Sequence, residues 1–165
     1  EVRATVTNRL SGLAFSPAQS AFAATIELPS KGRVYEVDPN ELHIEAIALE
    51  FAASKSIITF MTPSGESVLD CGHGEWLHGQ TDLFKGGWLP EVPIPVATSG
   101  AWTGSDSYKI IIRLIETPFY YSLIFHFVGD ELLLELRVNV TLDVPKTLLL
   151  TAHLSMTVGL VNTSS

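Results

Sequence analysis

Three side chains able to bind a metal fall close together in Cys71-Gly-His73-Gly-Glu75, with His78 behind them. Thiolate, imidazole and carboxylate are zinc ligands, and zinc needs three or four of them converging. In an extended strand Cys71, His73 and Glu75 would share one face while His78 points the other way. The paired Cys-x2-Cys and His-x3-His spacings of zinc sites are missing. The expectation is a buried cysteine beside surface histidines, with no metal and no other cofactor.

Nucleophilic chemistry has less to start from. No Ser-x-x-Lys and no Gly-x-Ser-x-Gly occurs, which removes the motifs of penicillin-recognising serine enzymes and of α/β-hydrolases. No serine comes with a recognisable base, so no catalytic residue is assigned and the chain alone is expected to be inert. Arg113 and Arg137 flank Ser122 across the predicted sheet, with Glu135 diagonal to Arg137. They read as a cross-strand polar ladder on a solvated or domain-facing surface. Glu116 ends the core face beside a turn, where a charge is costly unless paired. Trp76, Trp88 and Trp102 with Tyr108 could line a barrel mouth for a small apolar ligand, but aromatic residues in a β core are expected to pack it. One irregular loop stands out, Lys85 to Pro95, with Gly86-Gly87-Trp88 followed by Pro90, Pro93 and Pro95. Long irregular loops on rigid scaffolds concentrate function. Trp88, Leu89 and Pro90 are therefore the candidate residues for docking on a partner.

The elements that position these residues are strands. Tyr108–Glu116, Phe119–Val128 and Glu131–Val140 read as a meander with turns at Thr117-Pro118 and Gly129-Asp130. Folding about the first turn sets Leu114 opposite Tyr121, Ile112 opposite Leu123 and Ile110 opposite Phe125. Folding about the second sets Phe127 opposite Leu132, Phe125 opposite Leu134, Leu123 opposite Leu136 and Tyr121 opposite Val138. All of these share one face, and Phe119 joins them in the predicted core. Upstream, Arg33–Val37, Leu42–Phe51, Ser56–Thr62 and Glu66–Cys71 are strand-like, the last two as a hairpin about Pro63-Ser64-Gly65. Gly72–Leu83 reads as a bent or bulged strand. Val96–Thr103 leads into the meander and Thr147–His153 follows it. Short local connections and the lack of an amphipathic helix predict an all-β fold. It is an antiparallel up-and-down barrel of about eight to ten strands. Residues 1–29 read as a linker, 30–154 as the barrel and 155–165 as a tail.

Composition bounds the remaining classes. The 165 residues suit one domain with a substantial core. A net charge of −8 without a Lys/Arg cluster argues against nucleic acid. The apolar runs are far too short for a membrane span. One cysteine cannot form an intrachain disulfide, and it identifies no compartment. A chain opening on Glu1 is expected to be a trimmed or processed product, or a piece of something longer.

Several short motifs together resemble the C-terminal β-domain of beta-lactamase-family (penicillin-binding-protein-like) serine hydrolases. They are Ser30-Lys-Gly-Arg-Val-Tyr-Glu-Val-Asp-Pro-Asn40-Glu-Leu with Ile47-Ala-Leu-Glu-Phe51, Cys71-Gly-His-Gly-Glu-Trp76, Gly100-Ala-Trp-Thr103, and Glu116-Thr-Pro-Phe119 onward to Arg137-Val-Asn139. The likeness spans residues 30 to about 153, and residues 8–29 look like the preceding linker. It implies a lipocalin-like barrel serving as accessory domain to a catalytic serine hydrolase domain of esterase, amidase or peptidase type, in cis or in trans. That family's Ser-x-x-Lys and Tyr-x-Asn elements belong to the catalytic domain, and no Tyr here is followed two residues later by Asn. The competing expectation is a free-standing lipocalin-like binder of a small apolar ligand.

Overall fold

The computed structural model describes residues 17–18, 32–83, 93–115, 117–139 and 147–157. Its strands are β1 (Arg33–Val37), β2 (Ala46–Phe51), β3 (Lys55–Thr62), β4 (Gly65–Gly72), β5 (Leu77–Thr81), β6 (Ile94–Trp102), β7 (Ser107–Leu114), β8 (Tyr120–Val128), β9 (Glu131–Val138) and β10 (Thr147–Thr157). Among the described residues there is no helix. The strands β1 to β4 form one antiparallel meander and β5 to β10 another, and β1 pairs antiparallel with β10 to join them. The barrel closes where β4 meets β6 through Gly72 and Ser99, a parallel contact. Nine strands complete the circuit, and β5 is an extra strand paired along β6. The fold is the all-β up-and-down barrel that the strand pattern predicts.

Alternation builds the core directly. On β8 the inward residues Tyr121, Leu123, Phe125 and Phe127 are buried, and on β9 so are Leu132, Leu134 and Leu136. Their register matches the folding about Gly129-Asp130, with Phe125 opposite Leu134 and Tyr121 opposite Val138. Gly129 takes φ 62 there, and glycine at the first central position of a two-residue turn suits the twist of a hairpin. On the other side of the barrel Ile47, Leu49, Ile58, Phe60 and Tyr35 complete the same core.

Three details differ from the sequence reading. Ile110 pairs with Leu123 and Ile112 with Tyr121, a shift of two residues from the folding about Thr117-Pro118. The turn is wider because the Thr117 hydroxyl donates to the Leu114 carbonyl and the Leu114 N–H bonds the Phe119 carbonyl. Pro118 has no N–H for a ladder. An even shift leaves every side chain on its face, so only Phe119, half-buried in the turn, leaves the predicted core. Second, β2 begins at Ala46, not Leu42, since Asn40 holds the preceding residues in a loop. Its side-chain oxygen accepts from the Leu42 and Ile44 N–H groups and its amide donates to the Asp38 and Ile44 carbonyls. Third, β10 runs past His153 to Thr157, paired with Val34 and Arg33 of β1.

Phe125 is fully buried at the centre of this core. Phe125→Ala should therefore lower unfolding stability by about 3–5 kcal/mol, read from urea denaturation. A loss below 1 kcal/mol would contradict its central packing.

Candidate functional site at the barrel seam

The β4–β6 seam gathers several buried polar side chains, among them Ser56, Thr98 and Ser99. A backbone ladder barely exists there, since the only registered pair is Gly72 with Ser99. Side chains supply the bonds instead. The Thr98 hydroxyl donates to the Asp70 carbonyl at 2.5 Å, and the Ser99 hydroxyl donates to the Gly72 carbonyl at 3.1 Å. Beside them Ser56 of β3 and Tyr108 of β7 bring their hydroxyl oxygens to 2.7 Å. His73, just past β4, places Nε2 3.0 Å from the Tyr108 hydroxyl and Nδ1 3.4 Å from the Ala53 carbonyl. A carbonyl can only accept, so Nδ1 carries the proton and Nε2 accepts from Tyr108. Tyr108 then accepts from Ser56. The result is a directed chain from Ser56 through Tyr108 to His73.

Local sequence explains how the chain assembles. After Gly72 the backbone bends, with Gly74 at φ 74, and the bend carries His73 away from any strand face. A side chain at Gly72 would strike the Glu75 carbonyl, and one at Gly100 would collide with the Tyr108 hydroxyl. These glycines are sites of close approach. The Tyr108 ring packs against Phe51, edge-on at 4.9 Å, and against Trp102 at 5.1 Å, and Phe127 joins the group. Trp102 and Tyr108 thus form a packed aromatic plate at one end of the barrel.

A hydroxyl chain ending on an imidazole is the arrangement that activates a serine. Here Ser56, Tyr108 and Cys71 are all fully buried, so a substrate has no route to the Ser56 oxygen. Burial also keeps the protons on. It pushes the Cys71 thiol from an ordinary 9.0 up to about 12, against hydrogen bonds with Thr98 and Ser56 that pull it down. Burial likewise pushes the Tyr108 phenol up. A neutral, buried thiol is a poor nucleophile and a poor metal ligand. The arrangement can fasten the seam.

The structure separates the other candidates. Cys71 is buried, His73 bonds Tyr108, and His78 and Glu75 are exposed. Among the described residues no three His, Cys, Asp or Glu side chains converge on a metal position. On the outer face Glu135 pairs with Arg137, and His126 Nε2 lies 3.8 Å from Glu135. His126 Nδ1 is 3.0 Å from the Ser107 hydroxyl, which donates to Asp106 at 3.1 Å. This Ser–His–Glu line was not visible in the sequence. The Ser107 hydroxyl thus lies between the Asp106 carboxylate and the His126 imidazole on the outer face. Glu116 and the docking candidates Trp88, Leu89 and Pro90 lie outside the described residues. At the barrel end away from the aromatic plate, shallow clefts of about 560 and 390 Å³ flank His43 and Pro63.

The inward serine and threonine were the signal that sequence reasoning missed. Ser56 precedes Ile58 and Phe60 on the buried face of β3, and Thr98 follows Val96 on β6. A small hydroxyl in an apolar alternation marks a place where the interior needs hydrogen bonds. The chain matches no protein-family model and no curated protein.

Two predictions follow the geometry of this cluster. Tyr108→Phe keeps the ring but removes the hydroxyl that bonds both the buried Ser56 and His73 Nε2, and should cost about 1–3 kcal/mol in urea unfolding. No change would show that the hydroxyl chain is incidental. The second concerns pH. The folded thiol holds its proton more tightly than the unfolded one, so its contribution is complete below about pH 9 and is lost as pH rises toward 12. Across that window wild-type stability should fall more steeply than that of Cys71→Ala, by up to about 1.4 kcal/mol per pH unit. Parallel curves would refute it.

Proposed function

We propose that this chain is a non-catalytic accessory β-barrel of a beta-lactamase-like serine hydrolase, acting by shaping or covering a partner active site or by mediating assembly. The observation that carries the reading is how the interior is used. Inward positions are taken by the protein's own Tyr, Phe, Leu and Ile side chains, with Tyr35, Tyr108, Phe60 and Phe125 fully buried. A barrel filled in this way is a rigid support more than a container. Ser56, the serine linked through Tyr108 to His73, is fully buried, which suits it poorly to attack. The motifs that carry the family resemblance also have structural work at the seam. Cys71 to Trp76 makes the bend that presents His73, and Gly100 to Thr103 makes room for Tyr108.

The second reading, a free-standing carrier of a small apolar ligand, has one observation in its favour. The cleft beside Leu42, Pro63 and Leu83, about 560 Å³, is of ligand size. It lies at the rim and is lined partly by His43, Ser64, Ser67 and Asp82, which suits an apolar guest poorly.

The purified chain should hydrolyse an activated ester such as p-nitrophenyl acetate no faster than its Ser107→Ala and Ser56→Ala variants. Native mass spectrometry should find it without a bound small molecule, and the reading frame before Glu1 should encode a domain with Ser-x-x-Lys. Turnover abolished by Ser107→Ala would overturn the non-catalytic reading. A stoichiometric ligand in protein from its host would favour the carrier.

A further inference from the structure

Residues along β6 alternate between the barrel interior and its outside. Thr98 and Gly100 belong to the inner set, with Gly100 under the Tyr108 hydroxyl. Ser99 has the opposite sense, yet it is 0% exposed, and its outward neighbours Ala97 and Ala101 are 6% and 2% exposed. An outward serine on a solvated sheet face should meet water. This one meets Ala18. The Ala18 N–H donates to the Ser99 hydroxyl oxygen at 3.0 Å, and the Ala18 carbonyl accepts the Gly74 N–H at 3.2 Å.

Those two bonds reach opposite sides of the seam. Ser99 belongs to β6, and Gly74 to the bend that follows β4. A single residue far away in sequence therefore uses both of its backbone groups to bridge the contact where the barrel closes. Ser99 relays the first bond onward, since its hydroxyl accepts from Ala18 while donating to the Gly72 carbonyl. Small outward residues on β6 and the two glycines after Cys71 let a backbone come this close. Recognition runs through peptide groups, as it does when an extended segment is added at a sheet margin.

We propose that the seam is a docking slot for a peptide backbone, and that its occupant is this chain's own Pro17-Ala18, held through both backbone groups of Ala18. Two hydrogen bonds would hold a free peptide weakly, but a tethered segment meets its slot at roughly millimolar effective concentration.

Amide hydrogen exchange on the full chain tests the slot without any partner domain, so its outcome is independent of the accessory role. The Gly74 amide should be protected in the wild type. Ala18→Pro removes the donor outside the barrel and should leave the core intact. It should speed Gly74 exchange roughly three- to tenfold, the range for one weakened hydrogen bond, with β8 and β9 amides unchanged. Ser99→Ala should do the same to the Ala18 amide. Size exclusion should show a monomer. An unprotected Gly74 amide, indifference to Ala18→Pro, or a dimer exchanging its N-terminal stretches between copies would overturn the proposal.

Discussion

An up-and-down sheet of nine strands cannot close antiparallel throughout. Directions alternate around the circuit, so an odd number leaves one neighbouring pair pointing the same way. In this protein that pair is β4 and β6, and it arises because β5 is displaced from the circuit to lie along β6. Every other junction has an antiparallel ladder of several registered pairs. This one has a single pair, and the rest of the barrel depends on what replaces the missing ladder.

The replacement is made of side chains. Thr98 and Ser99 reach the β4 carbonyls, and Ser56, Tyr108 and His73 form a second layer of bonds behind them. Unpaired backbone groups at a buried margin are costly, which explains why Thr98 occupies an inward position that would otherwise hold Val or Ile and why Ser99 bonds Gly72 from the outer side. The same demand explains the glycines. Gly100 admits the Tyr108 hydroxyl, and Gly72 admits the turning backbone at Glu75. What looked like a metal motif around Cys71 is a device for turning the chain and aiming one histidine. That outcome supports the proposed scaffold role over a reading in which Cys71 and His73 hold a metal.

How much of this was legible in the sequence depended on the range of the interaction. The β8–β9 register was readable because Gly129-Asp130 leaves one short turn and the flanking residues alternate cleanly. The β7–β8 register was misplaced by two residues because the Thr117 side chain competes for the Leu114 carbonyl, a bond that turn statistics do not reveal. The inward face of β2 could not be chosen, since Ala46, Ile47, Ala48 and Leu49 are all apolar; the sheet around it decides for Ile47 and Leu49. The seam was hidden altogether. Its partners Ser56, His73, Thr98 and Tyr108 come from three strands and a bend, and only closure brings them together. Ser107, His126 and Glu135 were equally invisible, as cross-strand neighbours seen only once the sheet is registered.

Native-state hydrogen exchange under increasing denaturant tests most directly whether side chains have made the seam as strong as a ladder. Local openings reveal themselves as amides that exchange at a free energy below global unfolding. If the seam is truly fastened, the ladder amides of β4 and β6 should merge with those of β8 and β9 into one opening unit at the global value. If β4 and β6 instead exchange at several kcal/mol lower free energy while β8 and β9 remain protected, the barrel opens at its parallel junction, and the hydrogen-bonded cluster around Tyr108 does not hold it closed.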